Sequence, residues 1–201
     1  FEYGTPKNKK SYTHSLKQDN KLLLKRATEG FNYRYGKGNA KALERFNKEM
    51  KVIEQLNFAP YFLITWDVLE FASKKEFHHV GRGSGANSII AYCLKITDVD
   101  PIKLDLYFER FINPHRTSPP DFDIDFSWDE RDTIIDYIFN KYGTEHVALI
   151  ATYTTFKGRS AIREIAKTFG LPKEEIDRVI RQPEHLLNAN RITKELFKYA
   201  E

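Results

Sequence analysis

The chain has 201 residues, of which 41% are hydrophobic and 14% aromatic, and its formal net charge is +4. This apolar content is enough for the core of one domain and part of a second, which excludes a largely disordered chain. No apolar run approaches the roughly 20 residues that cross a bilayer, and no signal-peptide pattern is present, so we expect a cytoplasmic protein without a membrane partner.

Three amphipathic helices are predicted in the first 75 residues. Apolar side chains recur every three or four positions from Asp19 to Tyr35 and from Asn39 to Leu56, which is the spacing of one helical face. Gly36 or Gly38 is expected to end the first helix, because glycine readily adopts the conformation that closes a helix. The segment from Tyr61 to Lys75 is helical by length and apolar content.

A glycine-rich turn, Gly81-Arg-Gly-Ser-Gly85, precedes a predicted helix that begins near Ser84 to Ser88. Backbone N–H groups, a serine hydroxyl and the positive end of a helix dipole would then face an anion, for which a triphosphate is suitable. The turn lacks the Lys-Ser/Thr of a P-loop and the spacing of a dinucleotide fingerprint, so a plain flexible turn stays open. Cys93, the only cysteine, is expected to be a small buried core residue.

An acidic strand is predicted after Pro119-Pro120, where Asp and apolar residues alternate from Asp121 to Phe126. Alternate side chains of a strand share one face at intervals of about 6.5–7 Å, so the three acids would form a ridge opposite a buried apolar face. The acids are Asp121, Asp123 and Asp125, and the apolar residues are Phe122, Ile124 and Phe126. Three unneutralised acids would repel one another, so we expect positive charge there, such as the divalent cations of a phosphoryl-transfer site.

Two other interpretations of the acidic strand remain open. The acids match the first, third and fifth ligands of a helix-loop-helix calcium site, but Phe126 stands where the turn glycine belongs and Asp132 stands in place of the final Glu. The second alternative is an acidic edge strand that discourages aggregation.

The remaining elements follow the acidic strand. Ser127 and Glu130 have the spacing of a capping box, which predicts a helix that ends before Gly143. Val147 to Phe156 is rich in residues that favour strands and predicts another strand. A helix from about Ala161 to Phe169 is then expected to end at Gly170, and Pro172 can occupy the first turn of a further helix.

Charge is unevenly distributed along the chain. Residues 1–50 carry 12 Lys/Arg against 5 Asp/Glu, residues 101–150 carry 5 against 10, and residues 151–201 carry 10 against 7. An acidic centre between basic ends suits carboxylates that hold metal ions and cations that hold phosphates, although solvated helix faces would give the same pattern. Arg110 and Arg116 are candidate bidentate phosphate ligands, and each could instead form a structural ion pair, with Glu109 nearby.

Several ordered motifs resemble the catalytic (alpha) subunit of bacterial DNA polymerase III, the C-family polymerases, over nearly the whole chain. They are Val80-Gly-Arg-Gly-Ser-Gly-Ala-Asn-Ser88, Tyr92, Ile96-Thr-Asp98, Asp100-Pro101, Phe108-Glu-Arg-Phe111, Asn113-Pro114 and Pro120-Asp-Phe-Asp-Ile-Asp-Phe126, with Tyr61-Phe-Leu-Ile64 upstream and Ala161-Ile-Arg163 downstream. One departure is Asn87, where the family usually has a glycine.

The resemblance implies an α+β fold: a nucleotidyltransferase palm of the polymerase beta type, with a mixed sheet and flanking helices, followed by a partial helical thumb. It places the palm and N-terminal helices in residues 1–152 and the start of the thumb in 153–201. It implies catalytic, metal-binding roles for Asp121 and Asp123, with Asp125 as a supporting member of the metal site. The implied triphosphate ligands are Arg82, Gly83, Ser84, Arg110 and Arg116, and Lys157, Arg159 and Arg163 are candidate DNA contacts.

The resemblance also implies chemistry that this chain would only partly carry. The expected reaction is template-directed addition of deoxynucleotides with two Mg²⁺ ions, on primer-template DNA and deoxynucleoside triphosphates, alongside other replisome subunits. The family's third catalytic aspartate, fingers and clamp-binding parts are missing, so we expect an inactive fragment of the enzyme. Alternatives are a non-catalytic DNA- or nucleotide-binding relative and a metal-dependent phosphoesterase, which would need His and Asp clusters.

Overall fold

The computed structural model describes residues 10–36, 38–115 and 119–181, and the chain divides into two compact units, residues 1–148 and 149–201. The first unit contains helices α1 (Leu16–Tyr35), α2 (Ala40–Gln55), α3 (Ala59–Lys74), α4 (Ile89–Cys93) and α5 (Arg131–Tyr142), strands β1 (His79–Arg82) and β2 (Asp123–Phe126), and 3-10 turns at Gly83–Asn87 and Phe108–Arg110. The second unit contains α6 (Arg159–Thr168) and α7 (Lys173–Arg181). The described part of the chain is thus helix-rich with a two-stranded sheet, as expected of an α+β domain.

The first three helices lie where the apolar spacing predicts them. Ser15 caps α1, its hydroxyl accepting from the Gln18 N–H, and Gly36 ends that helix with φ +65°. The Asn39 side chain caps α2 in the same way by accepting from Ala42 N–H. The third helix begins earlier than predicted, at Ala59, because Pro60 occupies its first turn, where the missing proline N–H costs no helical bond.

The core of the first unit is built from α1, α2, α3 and α4. Gly30 of α1 faces the carbonyl of Cys93, and a Cβ on that glycine would lie 1.9 Å from the carbonyl oxygen. Only glycine therefore allows α1 and α4 to approach this closely. Cys93 is buried and free, which confirms the prediction of a core cysteine.

The two strands pair antiparallel, with His79 opposite Phe126 and Arg82 opposite Asp123. β1 is missing from the sequence prediction because it is only four residues long and includes Gly81, a residue that weakens a strand signal. Its position depends on that glycine: a Cβ on Gly81 would lie 1.8 Å from the Ile96 carbonyl oxygen.

Two predicted features after β2 are wrong. No capping box forms, because Ser127 hydrogen-bonds to the Asp129 carboxylate and Glu130, the N-cap residue of α5, makes no side-chain cap. The predicted strand from Val147 to Phe156 is absent: these residues are largely exposed and no described segment pairs with them. β-propensity stabilises a strand only where a partner supplies backbone hydrogen bonds and packing.

Helices α6 and α7 form a small core of their own from Ala166, Ile176 and Ile180. α6 and its end at Gly170 confirm the prediction, and Pro172 lies just before α7, accepting bonds from two of its N–H groups. The remainder of the predicted terminal helix, from residue 182, lies outside the described residues. Within the described ranges, no helix is both long and apolar enough to span a membrane.

Candidate functional site

The acidic ridge predicted from the sequence is present. Asp121, Asp123 and Asp125 are exposed, and the apolar residues between them are half-buried against the core. Phe122 anchors the start of the ridge: its ring stacks on Tyr61 at 5.2 Å, and its N–H donates to the Tyr61 hydroxyl at 2.8 Å. The strand itself begins at Asp123, so Asp121 lies just before it.

β-sheet pairing brings the glycine-rich turn against the ridge. Arg82 ends β1 opposite Asp123, and Gly83 then turns the chain with φ +72°. A Cβ on Gly83 would lie 2.5 Å from Asp123 Oδ2, so the backbone of the turn directly adjoins this carboxylate. The helix-opening turn and the acidic strand therefore form one site.

Arg82 supplies the positive charge expected on the ridge. Its Nε donates to Asp125 Oδ2 at 2.7 Å, and both side chains are exposed. This hydrogen bond and the nearby acids raise the pKa of Arg82 above its already high value. Asp121 and Asp123 make no ion pair with any described residue, so the three acids are not equivalent.

The calcium-loop alternative is wrong, because residues 123–126 form a paired strand rather than a loop. In the ranges that the structure describes, no group of three or more His, Cys, Asp or Glu side chains is arranged to hold a metal ion. The described residues therefore also lack the His and Asp clusters that a phosphoesterase would need. Two carboxylates nevertheless suit Mg²⁺, which typically binds one or two acids together with substrate phosphates and water.

The turn at Gly83–Asn87 is a short 3-10 helix, and the predicted α-helix begins at Ile89, capped by Ser88, at the late end of the predicted start between Ser84 and Ser88. The exposed Ser84 hydroxyl is adjacent to Gly83, and the Ser84 carbonyl accepts a bond of 2.8 Å from the Asn87 side-chain amide. Asn87 thereby braces the turn from within.

An ion pair on α2 with a buried carboxylate supports this turn, and sequence reasoning missed it. Glu49 is fully buried, accepting from Arg45 Nε at 2.7 Å and from Ser88 Oγ at 2.8 Å. Burial raises the pKa of Glu49 to about 7, against the opposing effects of Ser88 and Arg45. A charged pair at i and i+4 was the only signal in the sequence, and such pairs are usually exposed.

Arg110 ends the second 3-10 turn, is exposed, and forms no ion pair with a described residue. The alternative pairing with Glu109 is wrong, because Lys48 binds that carboxylate at 2.6 Å and lowers its pKa. Arg116 lies outside the described residues.

The candidate DNA contacts belong to the second unit. Lys157 and Arg159 are exposed at the start of α6. Arg163 instead forms an ion pair of 2.7 Å with Asp177 of α7, which holds the two helices together.

Comparison with known proteins identifies close relatives. Residues 21–199 match the family model described as the bacterial DNA polymerase III alpha NTPase domain. The chain is 46% identical over 154 residues to the DNA polymerase III subunit alpha of Bacillus subtilis (strain 168), covering 76% of this chain and 14% of that protein. Identity is 47% over 148 residues with the DNA polymerase III subunit alpha of Borreliella burgdorferi, covering 73% of this chain and 13% of that protein.

An error-prone DNA polymerase of Symbiobacterium thermophilum is 39% identical over 173 residues, covering 86% of this chain and 16% of that protein. The chain thus spans about one seventh of the length of these relatives.

Proposed function

The chain belongs to the bacterial DNA polymerase III alpha family, and from this membership we propose that it supplies the palm and the beginning of the thumb of a template-directed DNA polymerase. In this proposal the palm comprises residues 1–152, a boundary close to the end of the first compact unit at residue 148, and the thumb begins with α6 and α7. A polymerase beta-like nucleotidyltransferase palm is part of this proposal, and further strands of the longer protein would complete its sheet.

The observation that carries the proposal is the contact between Gly83 and Asp123. It brings a turn with exposed backbone and the Ser84 hydroxyl beside a carboxylate that is free to bind a cation. Phosphoryl transfer needs this combination, because phosphate oxygens and metal ligands must meet at one point. A flexible turn elsewhere on the surface would not have this geometry.

Asp121 and Asp123 would hold Mg²⁺, with a third carboxylate supplied by another part of the longer polymerase. With two such ions held there, the site would supply activation of the primer 3′-hydroxyl and neutralisation of the departing pyrophosphate. Asp125 is paired with Arg82 and would support the metal site without binding the ion directly.

The triphosphate would lie over the turn, with the Gly83 backbone and the Ser84 hydroxyl binding its oxygens. Arg82, Arg110 and Arg116 would contribute the positive charge, since guanidinium groups bind phosphates bidentately. Lys157, Arg159 and Arg163 are the proposed contacts to the primer-template backbone. The ion pair of Arg163 with Asp177 makes it the weakest of the three for that role.

Primer extension by the full-length polymerase that contains this sequence tests the proposal. Asp121→Asn or Asp123→Asn should reduce extension at least about a thousandfold, because each removes a charge that holds the metal. Asp132→Asn is the matched control, since among the described residues that exposed acid pairs only with its neighbour Arg131. Near wild-type extension by either ridge variant would overturn the assignment.

A non-catalytic DNA- or nucleotide-binding relative is the second candidate, favoured by the lack of a three-ligand metal cluster among the described residues. It predicts that the unmodified full-length protein binds primer-template DNA without extending it.

A further inference from the structure

A buried polar network connects α2 to both segments that carry the proposed triphosphate ligands. Its centre is the carboxylate of Glu49, which is fully buried and accepts from Arg45, from the Ser88 hydroxyl and from the Ile90 N–H at 3.4 Å. Ser88 directly follows the turn at Gly83–Asn87, so this acid lies beneath the end of that turn.

Arg45 joins the two segments to each other. Its Nη2 donates to the Asn87 carbonyl and to the Leu106 carbonyl, each at 3.0 Å. Asn87 ends the first 3-10 turn, and Leu106 lies two residues before the second, Phe108–Arg110. One guanidinium group therefore sets the spacing between the turn of Ser84 and the turn of Arg110.

The network continues to the exposed end of the site. The Asn87 carbonyl accepts from Arg45, while its side-chain amide donates to the Ser84 carbonyl. Glu49, Arg45, Asn87 and Ser84 thus form a continuous chain of hydrogen bonds from the core to the proposed phosphate ligand.

Capping alone does not require this arrangement. Ser88 caps α4 by accepting from the Ala91 N–H at 3.2 Å, and it would do so with an apolar residue at position 49. Burying a carboxylate is unfavourable unless every oxygen is satisfied, and an apolar residue of similar size is often as stable. The geometry is better suited to holding two loops in register than to adding stability.

We propose that Arg45 and Glu49 are positioning residues that hold the turns of Ser84 and Arg110 at the separation that one triphosphate requires. This inference rests on the proposed function, because it assigns the two turns to a common ligand. Neither residue contacts the ligand itself.

Amide hydrogen exchange in the 201-residue chain tests whether Arg45 and Glu49 hold the two turns in place, and it needs no polymerase activity. The reporters are the N–H of Ser88, bonded to the Gly85 carbonyl, and of Ile112, bonded to the Phe108 carbonyl. Arg45→Lys keeps the charge but cannot reach both carbonyls and Glu49, so exchange at both reporters should accelerate about tenfold. Ser88→Ala, a milder change, should accelerate the reporter at position 88 about threefold.

Lys41→Ala is the matched control for these variants. Lys41 lies on the same helix and pairs with Asp105 at 3.2 Å, next to Leu106, but this pair is exposed. It should leave both reporters unchanged. Equal acceleration throughout α1, α2 and α3 in Arg45→Lys would show only general destabilisation and would overturn the inference.

Steady-state kinetics of the full-length polymerase tests whether the spacing of the two turns matters for binding the triphosphate. If the turns bind the triphosphate equally in the ground and transition states, Arg45→Lys should raise KM for the deoxynucleotide about tenfold and leave kcat within about twofold. A purely structural role would lower the active fraction and kcat without changing KM, which would contradict the inference.

Asp123→Asn, assayed in parallel, distinguishes failure of the proposed function from failure of the positioning role. If that variant still extends primers, the proposed function fails, whatever the exchange data show. If it is inactive while Arg45→Lys alters neither exchange nor KM, the inference fails alone.

Discussion

Gly83 and Asp123 are in direct contact: a Cβ on the glycine would lie 2.5 Å from the carboxylate oxygen Oδ2. The backbone at Gly83 also has φ +72°, a conformation that L side chains rarely adopt. The backbone conformation therefore favours glycine at this position, and a larger residue would also push aside the exposed side chain of Asp123, 40 residues later.

Gly83→Ala should destabilise the protein by about 1–2 kcal/mol, mostly through backbone strain, because the end of the exposed Asp123 side chain can move aside at little cost. Gly36→Ala is the control, because Gly36 has a similar φ of +65° but nothing within 4 Å of the position a Cβ would take. It should cost a similar amount, about 1 kcal/mol. Urea unfolding of the two variants measures both losses, and a much larger loss at Gly83 than at Gly36 would show that the Asp123 carboxylate cannot move aside.

Arg82→Ala should separate stability from ligand affinity. Its ion pair with Asp125 is exposed, and such pairs add little to folding because solvent screens them, so the unfolding midpoint should hardly change. Affinity for a deoxynucleoside triphosphate should fall at least about tenfold, because one proposed phosphate ligand is lost. Arg131→Ala removes a similarly exposed pair and should change neither quantity.

The stability of the chain should carry a pH dependence from Glu49. Burial raises its pKa to about 7, so its favourable contribution is full below the unfolded pKa near 4.5 and is lost as pH rises through about 7. Between pH 5 and 8 the wild type should lose about 2 kcal/mol relative to Glu49→Gln, which does not titrate. If the free energies of unfolding of the two proteins differed by the same amount at every pH in this range, the effect of burial on Glu49 would be contradicted.

Asp67 should make stability depend on pH in the opposite direction, with stability lost in acid. It is buried and accepts from Tyr12, Tyr137 and Tyr142 at 3.0, 3.0 and 2.7 Å, and from Lys141. Burial alone would raise the pKa of Asp67, but bonds from Lys141 and the tyrosines outweigh burial and lower it. Its contribution is therefore present above pH 4 or so and is lost as pH falls through the lowered pKa.

Asp67→Ala should accordingly cost about 3–4 kcal/mol at neutral pH, because four donors lose a shared buried acceptor. Asp136→Ala, an exposed acid on α5, should change stability by less than about 0.5 kcal/mol. The penalty at Asp67 should shrink in acid. A loss at Asp67 as small as the control would show that the network adds little.

The 201-residue chain alone should bind Mn²⁺ weakly and extend no primer, since two carboxylates without a third form an incomplete site. Paramagnetic broadening of amide signals near Asp121 and Asp123, reduced in Asp123→Asn, would report this binding. Rapid primer extension by the isolated chain would contradict the expected inactivity.

Prediction from the sequence succeeded where the signal is local. The spacing of apolar residues located α1, α2 and α6, and the alternation around Ile124 identified which face of the acidic strand is buried. It failed for Val147 to Phe156 and for β1, because a strand exists only through its partner. β1 has a weak local signal and a partner, whereas the later segment has a strong signal and no described partner.

The sequence by itself determined the helices, the three acids on one face and the family to which they point, because these depend on residue type and short-range spacing. Only the tertiary structure decided what each acid contacts. Asp125 is paired with Arg82, Asp123 adjoins Gly83, and Arg45 and Glu49 lie beneath the turn. These relationships join residues about 40 positions apart, and packing of the whole unit establishes them because no local pattern encodes such contacts.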